Sequence, residues 1–442
     1  MKTRSNNYWI NRANARADRY NKNATNVINK MNTYYNKALD DINKDIEKIF
    51  YKFAKSGDLT KEQALELLNT EISTQELDGI RARIGNIKDK DIKRHLTTQL
   101  NSVAYKARIT RLQAIKESIK VNIGNIADVE LAESTKLHIS NMTDSYYRNM
   151  FDIQKGVDTA FNFSALPIKF IEETLKNKWS GKNYSERIWN NNRVLATKLQ
   201  EVVTSGLMSG KSSNRMAKEL KDQTMYGKFA TERLIRTETT YVTNQGELES
   251  YKATGIEKYI FVATLDLRTS SLCRKHDRKE YLVSEAVANV NLPPLHAYCR
   301  STTRAKIESM ELGKRVAKDP LTGDTYHIDN MSYEDWYQKF VAEKYSKQNV
   351  EKLEKMVKNK SADWKQYQNY KNKLGNEAPK TFEEFRQIKY FNKKLPKTLD
   401  IPIETKEVKF ADVDVVGKNE GAPGTIKPEK INDKHKKYRK RK

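Results

Sequence analysis

Cys273 and His276 stand three residues apart, and so do His296 and Cys299, within the stretch "SSLCRKHDRKEYLVSEAVANVNLPPLHAYCR". They are both cysteines, and two of the six histidines, of a 442-residue chain. Thiolate and imidazole are the donors zinc takes in tetrahedral sets of four, and an i,i+3 pair lets one turn present two of them. The segment between the pairs is long enough to fold back. The prolines of "NLPPLH" fix φ and predict a rigid, extended approach to the second pair. One structural zinc held by these four residues would stabilise a thin domain directly. The competing reading makes the histidines surface or hydrogen-bonded residues and the cysteines small hydrophobic ones. Spacing alone does not choose between them.

Other reactive residue types occur, and each set departs from the pattern its chemistry needs. Arg274, Lys275 and His276 beside Cys273 would lower a thiol pKa, a weak sign of a nucleophile. His276-Asp277, Asn289 or Asn291, and His296 have the residue types of a His-Asn-His nuclease, with the wrong spacing. "GLMSGKSS" resembles a phosphate-binding loop, but Gly206 and Gly210 are one residue too close and no strand precedes them. Glu247 and Glu249 of "GELES", with Arg236 and "TSS", are similar to ADP-ribosyltransferase elements in the wrong order. Glutamates two apart on a helix also face different ways. The expectation is a protein with no catalytic residues and no enzymatic activity. A metal-dependent nuclease or transferase is the alternative.

The elements that must position these residues are helical. Only 37% of residues are hydrophobic and 31% are charged, which suits long amphipathic helices better than one thick core. With 17 glycines and 9 prolines, turn residues are too few for a compact all-β fold. In "NVINKMNTYYNKALDDINKDIEKIFYKFA", Val27, Ile28, Met31, Tyr34, Tyr35, Ala38, Leu39, Ile42, Ile46 and Ile49 form one apolar stripe. Thr60 is an expected N-cap for a second helix. "DIKRHLTTQLNSVAYKARITRLQAIKESIKVNI" reads as a further helix, and "VELAESTKLHISNMTDSYYRNMFDIQKG" continues in the same style. From about Asn183 a helix, a glycine-bearing turn and a short helix precede another helix ended by Gly255. The strand "KYIFVATLD" follows. Short helices and loops then run to about 395. The fold class is therefore mainly α: a helical N-terminal region (1–185), a small α+β domain (186–306), C-terminal helices (307–395) and a flexible basic tail (396–442).

The formal net charge is +25, an excess that repels itself unless a polyanion is near. Nucleic acid is the first candidate, because Lys and Arg displace the counterions condensed on phosphates. The terminal block "INDKHKKYRKRK" is expected to be disordered alone. Its Lys434, Lys436, Lys437, Arg439, Lys440, Arg441 and Lys442 are the expected contacts to double-stranded DNA, indifferent to sequence. Two cysteines are too few for a disulfide framework. The first residues carry no apolar run, and no segment is long enough to span a bilayer. The expectation is a chain made and kept in a reducing cytoplasm, without a membrane partner.

The central segment resembles the Mu F-like head morphogenesis domain of phage minor head proteins. The resemblance runs from "GLMSGKSSNRMAKEL" through "RLIRTETTYVTNQGELESYKATG" to "DLRTSSLCRKHD" and "LPPLHAYCRS". Arg236, Glu238, Asn244, Asp266, Arg268, Pro294 and Arg300 fall where the family pattern puts structural residues. The flanks "DPLTGDTYHIDNMSYEDWYQKFV" and "DWKQYQNYKNKLGNEAPKTFEEF", and the helical start with Tyr8-Trp9, are similar to minor capsid proteins of phages of Gram-positive bacteria. The likeness covers about residues 1–395 and is closest over 186–305. Two departures stand out: Arg278-Lys279-Glu280 follow His276-Asp277 where the family has a glycine, and Ala297 and Ser301 replace a proline and a cysteine. The resemblance implies a structural protein inside the head near the portal vertex. It would bind the portal protein during assembly, with scaffold or major capsid protein as further partners. It would also contact packaged DNA, and relatives leave with that DNA on ejection.

Overall fold

Apolar residues at three- and four-residue steps in the first helix are the ones that end up covered. In the computed structural model, α1 (Asn6–Phe53) buries Tyr20, Ala24, Ile28, Met31, Tyr35, Ala38, Ile42 and Ile46. Val27, Tyr34 and Leu39 are partly buried at the margins of that stripe. The structure describes residues 6–53, 62, 66, 68–104, 110–157, 164–209, 211–307, 314–320 and 324–391. The Ile49 side chain, the expected cap at Thr60, and the whole basic tail with Lys434, Lys436, Lys437, Arg439, Lys440, Arg441 and Lys442 lie outside the described residues.

After α1 come α2 (Thr74–Gly85), α3 (Lys90–Ala104), α4 (Arg111–Val157), α5 (Ile168–Lys176), α6 (Tyr184–Met208) and α7 (Ser213–Ala253). α1, α4, α6 and α7 share one apolar core that runs from Ala24 to Ile235. The boundary expected near residue 185 therefore falls inside a continuous core. α2 and α3 cover a second cluster with Ile188 and Leu234.

Two helix expectations are corrected. The helix expected over 91–123 is two helices: Thr110 bridges Glu71 in extended form, and the Arg111 amide donates to the Thr70 carbonyl at 2.9 Å. Conversely, the short helix and the helix expected to follow it are one α7 of 41 residues. Gly227, near the expected break, is instead a packing position. A Cβ there would lie 2.6 Å from Leu195 and 3.0 Å from Tyr35, so α1 and α6 close against a bare backbone. Gly246 does the same for α4, where a Cβ would meet the Met142 carbonyl oxygen at 2.5 Å. Several polar groups pair across these interfaces. Tyr35 Oη lies 2.9 Å from Thr231 Oγ1, Ser145 donates to the Thr243 carbonyl at 2.8 Å, and Asn149 donates to Ser250 at 2.8 Å.

α7 ends at the expected place, with Gly255 at φ +69°, a left-handed conformation that suits glycine. β1 (Lys258–Val262) follows as expected. α8 (Ser271–His276), β2 (Glu280–Leu282) and β3 (Thr302–Ala305) complete an antiparallel sheet of order β2-β1-β3. Its registers pair Ile260 with Glu280 and Phe261 with Thr303. The last turns of α7 lie against this sheet: Tyr251 stacks on Tyr259 at 6.4 Å, and Tyr251 Oη meets Thr303 Oγ1 at 3.1 Å.

Downstream, the sequence expects only short helices and loops, but a hairpin comes first: β4 (Arg315–Lys318) pairs with β5 (Thr325–Ile328). α9 (Tyr333–Tyr337), α10 (Lys347–Lys358), α11 (Lys360–Leu374) and α12 (Phe382–Phe391) follow. The hairpin is fastened to the central domain. Leu265 bridges Ala317, and both belong to one core with Trp336 and Leu353.

Candidate metal centre

Cys273 lies on α8, in the connection from β1 to β2, and His296 and Cys299 lie in the loop that enters β3. α8 begins because Ser270 caps it, its hydroxyl accepting from the Cys273 amide at 3.2 Å. The second pair is seated by α7. Thr237 Oγ1 accepts from the Tyr298 amide at 3.1 Å, and Thr240 Oγ1 donates to the Cys299 carbonyl at 2.8 Å. Pro294 is buried. The Pro293–Pro294 bond is cis. The expected extended approach is replaced by turns and bends over 291–298.

Three of the four expected ligands meet. Cys273 Sγ lies 3.2 Å from His296 Nε2 and 3.7 Å from Cys299 Sγ, and the three ligand atoms are all within 4.8 Å of one another. His276 is not in this group. Its Nδ1 pairs with Tyr281 Oη at 2.7 Å, and its ring rests against Phe261 and Tyr281. Both cysteines are free and buried, in an apolar setting of Phe261, Ala263 and Leu295.

The protonation pattern suits donation. His296 Nδ1 lies 2.7 Å from the Ala297 carbonyl oxygen, which can only accept. Nδ1 therefore carries the proton, and the Nε2 lone pair faces the sulfurs. The hydrogen bond from Cys299 holds the Cys273 thiol down to about 7 against the opposing effect of burial. Ser301, Ser270 and the Arg300 charge act in the same direction. Cys299 is pushed up by the same hydrogen bond and by burial.

Two buried carboxylates hold the loops around this group. Asp266 forms a two-pronged ion pair with Arg300, whose Nη2 lies 2.7 Å from Oδ1. It also accepts from the Arg268 amide at 2.9 Å and from Thr269 Oγ1. Burial pushes the Asp266 carboxyl up, but the hydrogen bond and charge of Arg300 outweigh it and the net shift is down. Asp277 accepts from the Ala263 and Tyr333 amides at 2.8 and 2.7 Å and from both terminal nitrogens of Arg315 at 2.8 and 2.9 Å. It thus joins β1, β4 and α9. Sequence reasoning missed this role. The signal available was a lone acid inside a basic stretch.

Arg278, next in line, has φ +64°, which explains why a glycine belongs there in the resembled family. Its guanidinium is anchored on the Asn330 carbonyl and side chain, each at 3.2 Å.

Arg236 and Glu238, of the remaining family-pattern residues, tie other elements to α7. Arg236 reaches α1 at Thr25 Oγ1 (3.1 Å) and the Asn21 carbonyl (3.3 Å). Glu238 is buried, accepts from Trp179 Nε1 at 3.3 Å, and is pushed up to about 7 by burial. Asn244 donates back to the Thr240 carbonyl at 2.8 Å. Arg268 is exposed and lies within electrostatic reach of Arg300, Asp266, Tyr298 and Arg236. Arg233 stacks over Phe229, which packs on Tyr298. This aromatic-lined group of arginines, with Glu232 beside Arg236, was not foreseen.

The other reactive sets are spent on structure. Lys211 pairs with Glu219 at 2.9 Å, and Ser212 caps α7. Asn291 closes a loop through the Val287 amide and the Glu285 carbonyl. Glu247 is buried and accepts from Thr302 and Thr303 at 2.9 and 3.3 Å.

Residues 197–304 match the family described as Phage Mu protein F like protein. The matched span runs from within α6 to β3 and includes the whole metal-ligand candidate group, so this part of the chain is a Mu F-like head morphogenesis domain. The chain is also 23% identical over 277 residues to NAD(+)--arginine ADP-ribosyltransferase EFV of Enterococcus faecalis, covering 58% of this chain. It spans about half the length (56%) of that curated relative. No solved structure matches. No helix among the described residues is long and apolar enough to cross a membrane.

Proposed function

We propose that this chain is a non-enzymatic minor head protein of a tailed phage, which joins the head at the portal vertex during assembly and lies against packaged DNA. The Mu F-like match over 197–304 carries the reading, because it coincides with the structural unit built by α7 and the sheet. Three features support it. The net charge of +25 suits a protein packed beside phosphates. Arg233, Arg236 and Arg268 gather around Tyr298 on the Mu F-like domain. The terminal "KHKKYRKRK" adds a sequence-indifferent DNA contact. Purified heads should contain the protein, heads assembled without its gene should lose infectivity, and it should co-purify with the portal protein. Absence from purified heads would sink the reading. Deleting 431–442 should flatten the salt dependence of DNA binding, each lost phosphate contact reducing the slope by about 0.9. An unchanged slope would remove the tail from the interface.

A transferase is the second reading, favoured by the likeness to the Enterococcus faecalis enzyme. Against it stands the order of the elements along the chain, since Glu247 and Glu249 precede the "TSS" stretch. Incubation with labelled NAD+ and an arginine-containing acceptor should transfer no label. DNA with Mg2+, Mn2+ or Zn2+ should stay intact. Clean transfer, or cleavage lost in His276→Ala, would overturn the non-enzymatic assignment.

A further inference from the structure

We propose that Cys273, His296 and Cys299 bind one zinc ion, with water in the fourth position, and that the ion ties the two connections of the small sheet together. The argument is independent of the role in head assembly. It starts from donor chemistry: two sulfurs and one imidazole nitrogen are soft to borderline ligands, which select zinc over magnesium or calcium. Geometry supports the same ion. Two zinc–sulfur bonds of about 2.3 Å at the tetrahedral angle put the sulfurs about 3.8 Å apart. The observed separation is 3.7 Å. The His296 Nε2 to Cys273 Sγ distance of 3.2 Å is slightly shorter than the roughly 3.6 Å expected across a metal, so a small ring shift would seat the ion. The Ala297 carbonyl already fixes the tautomer that leaves the Nε2 lone pair for a metal, as the other ring nitrogen of a metal-bound histidine is commonly held. Two thiolates also balance the charge of a divalent ion, which lets it sit in an apolar setting.

Among the described residues, no further His, Cys, Asp or Glu completes the group. His276 has the right spacing but is turned to Tyr281 and Phe261. His296 is the least buried of the three ligands. The consequence is topological. Cys273 and Cys299 are 26 residues apart, on opposite sides of β2. An ion between them closes that loop, and the sheet it braces has strands of only three to five residues.

The test uses the full chain purified without added metal or chelator. Elemental analysis should find about one zinc per chain, and thiol titration should find both cysteines protected until a chelator is added. Cobalt substituted for zinc should give the intense visible bands of a tetrahedral thiolate site. Cys299→Ser and His296→Ala should lose the metal, while the circular dichroism of the long helices persists. His276→Ala should keep it. Zinc-free protein with two reactive thiols, or with a Cys273–Cys299 disulfide, would overturn the proposal. Loss of metal in His276→Ala as complete as in Cys299→Ser would overturn the three-ligand set.

Discussion

The helical bundle and the small sheet domain are joined through α7 yet stabilised by different means. The bundle buries a long apolar stripe on α1 against α4, α6 and α7, and close approach at Gly227 and Gly246 makes the fit. Such a region gains from area removed from water, and one lost polar contact is a small fraction of it. The sheet domain has three strands of three to five residues and cannot draw on comparable burial. It depends on a few buried charged hubs: Asp266 with Arg300, Asp277 with Arg315, and the Cys/His group. The contrast teaches where single substitutions should hurt. In the bundle they act through packing, and in the sheet domain through an uncompensated charge or a lost tie.

The most severe break should be Asp277→Ala. Removing the carboxylate leaves the buried Arg315 charge held only by the Met331 and Ala263 carbonyls and frees two backbone amides, at a cost of about 3–5 kcal/mol. Denaturant unfolding followed by both helical and aromatic signals should show that loss. A cost below about 1 kcal/mol would mean that the sheet domain does not depend on this hub.

An intermediate effect is expected in the bundle at Glu130. Burial pushes its carboxyl up to about 7 from the ordinary 4.5, more than Asn192 and Thr231 can offset. The folded state therefore holds a proton the unfolded state has released. The contribution is complete below about pH 4.5 and is lost as pH rises through 7. Glu130→Gln should remove this slope and be more stable at pH 8, by on the order of 2 kcal/mol. Melting temperatures of both proteins between pH 5 and 8 check it, and parallel curves would contradict the assignment.

The smallest effect should come at Arg278. A glycine there relieves a left-handed backbone costing about 1 kcal/mol but gives up the Asn330 contacts, so a net gain under about 1 kcal/mol is expected. Arg278→Val should instead lose about 2 kcal/mol, because a branched Cβ is strained at that φ. Equal stabilities for the two variants would show that the backbone relaxes freely at this turn.

Much of this was legible in the sequence where physics is local. The α1 stripe follows from spacing, the end of α7 from Gly255, and the candidate ligands from the scarcity of cysteine. The continuity of α7 was not legible, because the Tyr35 and Leu195 side chains that pack on Gly227 come from distant parts of the chain. The β4–β5 hairpin was missed because its strands are four residues each and are held by tertiary contact with Leu265. His276 and Cys273 share the spacing of a ligand pair. Only the nearness of Tyr281 and Phe261 shows which way the ring turns. Asp277 was visible as a residue but not as a hub, since its partners lie up to 56 positions away.

The order in which the chain is made gives the long helix a further meaning. The hydroxyl contact between Tyr35 and Thr231 spans 196 positions, and the Arg236–Thr25 contact spans 211. During synthesis α1 therefore leaves the ribosome with an apolar stripe that α4 covers first and that α6 and α7, encoded much later, finish covering. Contacts this distant in sequence slow folding and leave sticky surface uncovered in the meantime. The nascent N-terminal half is consequently the stage most open to misassociation. Completion of α7 is the event that ends that exposure.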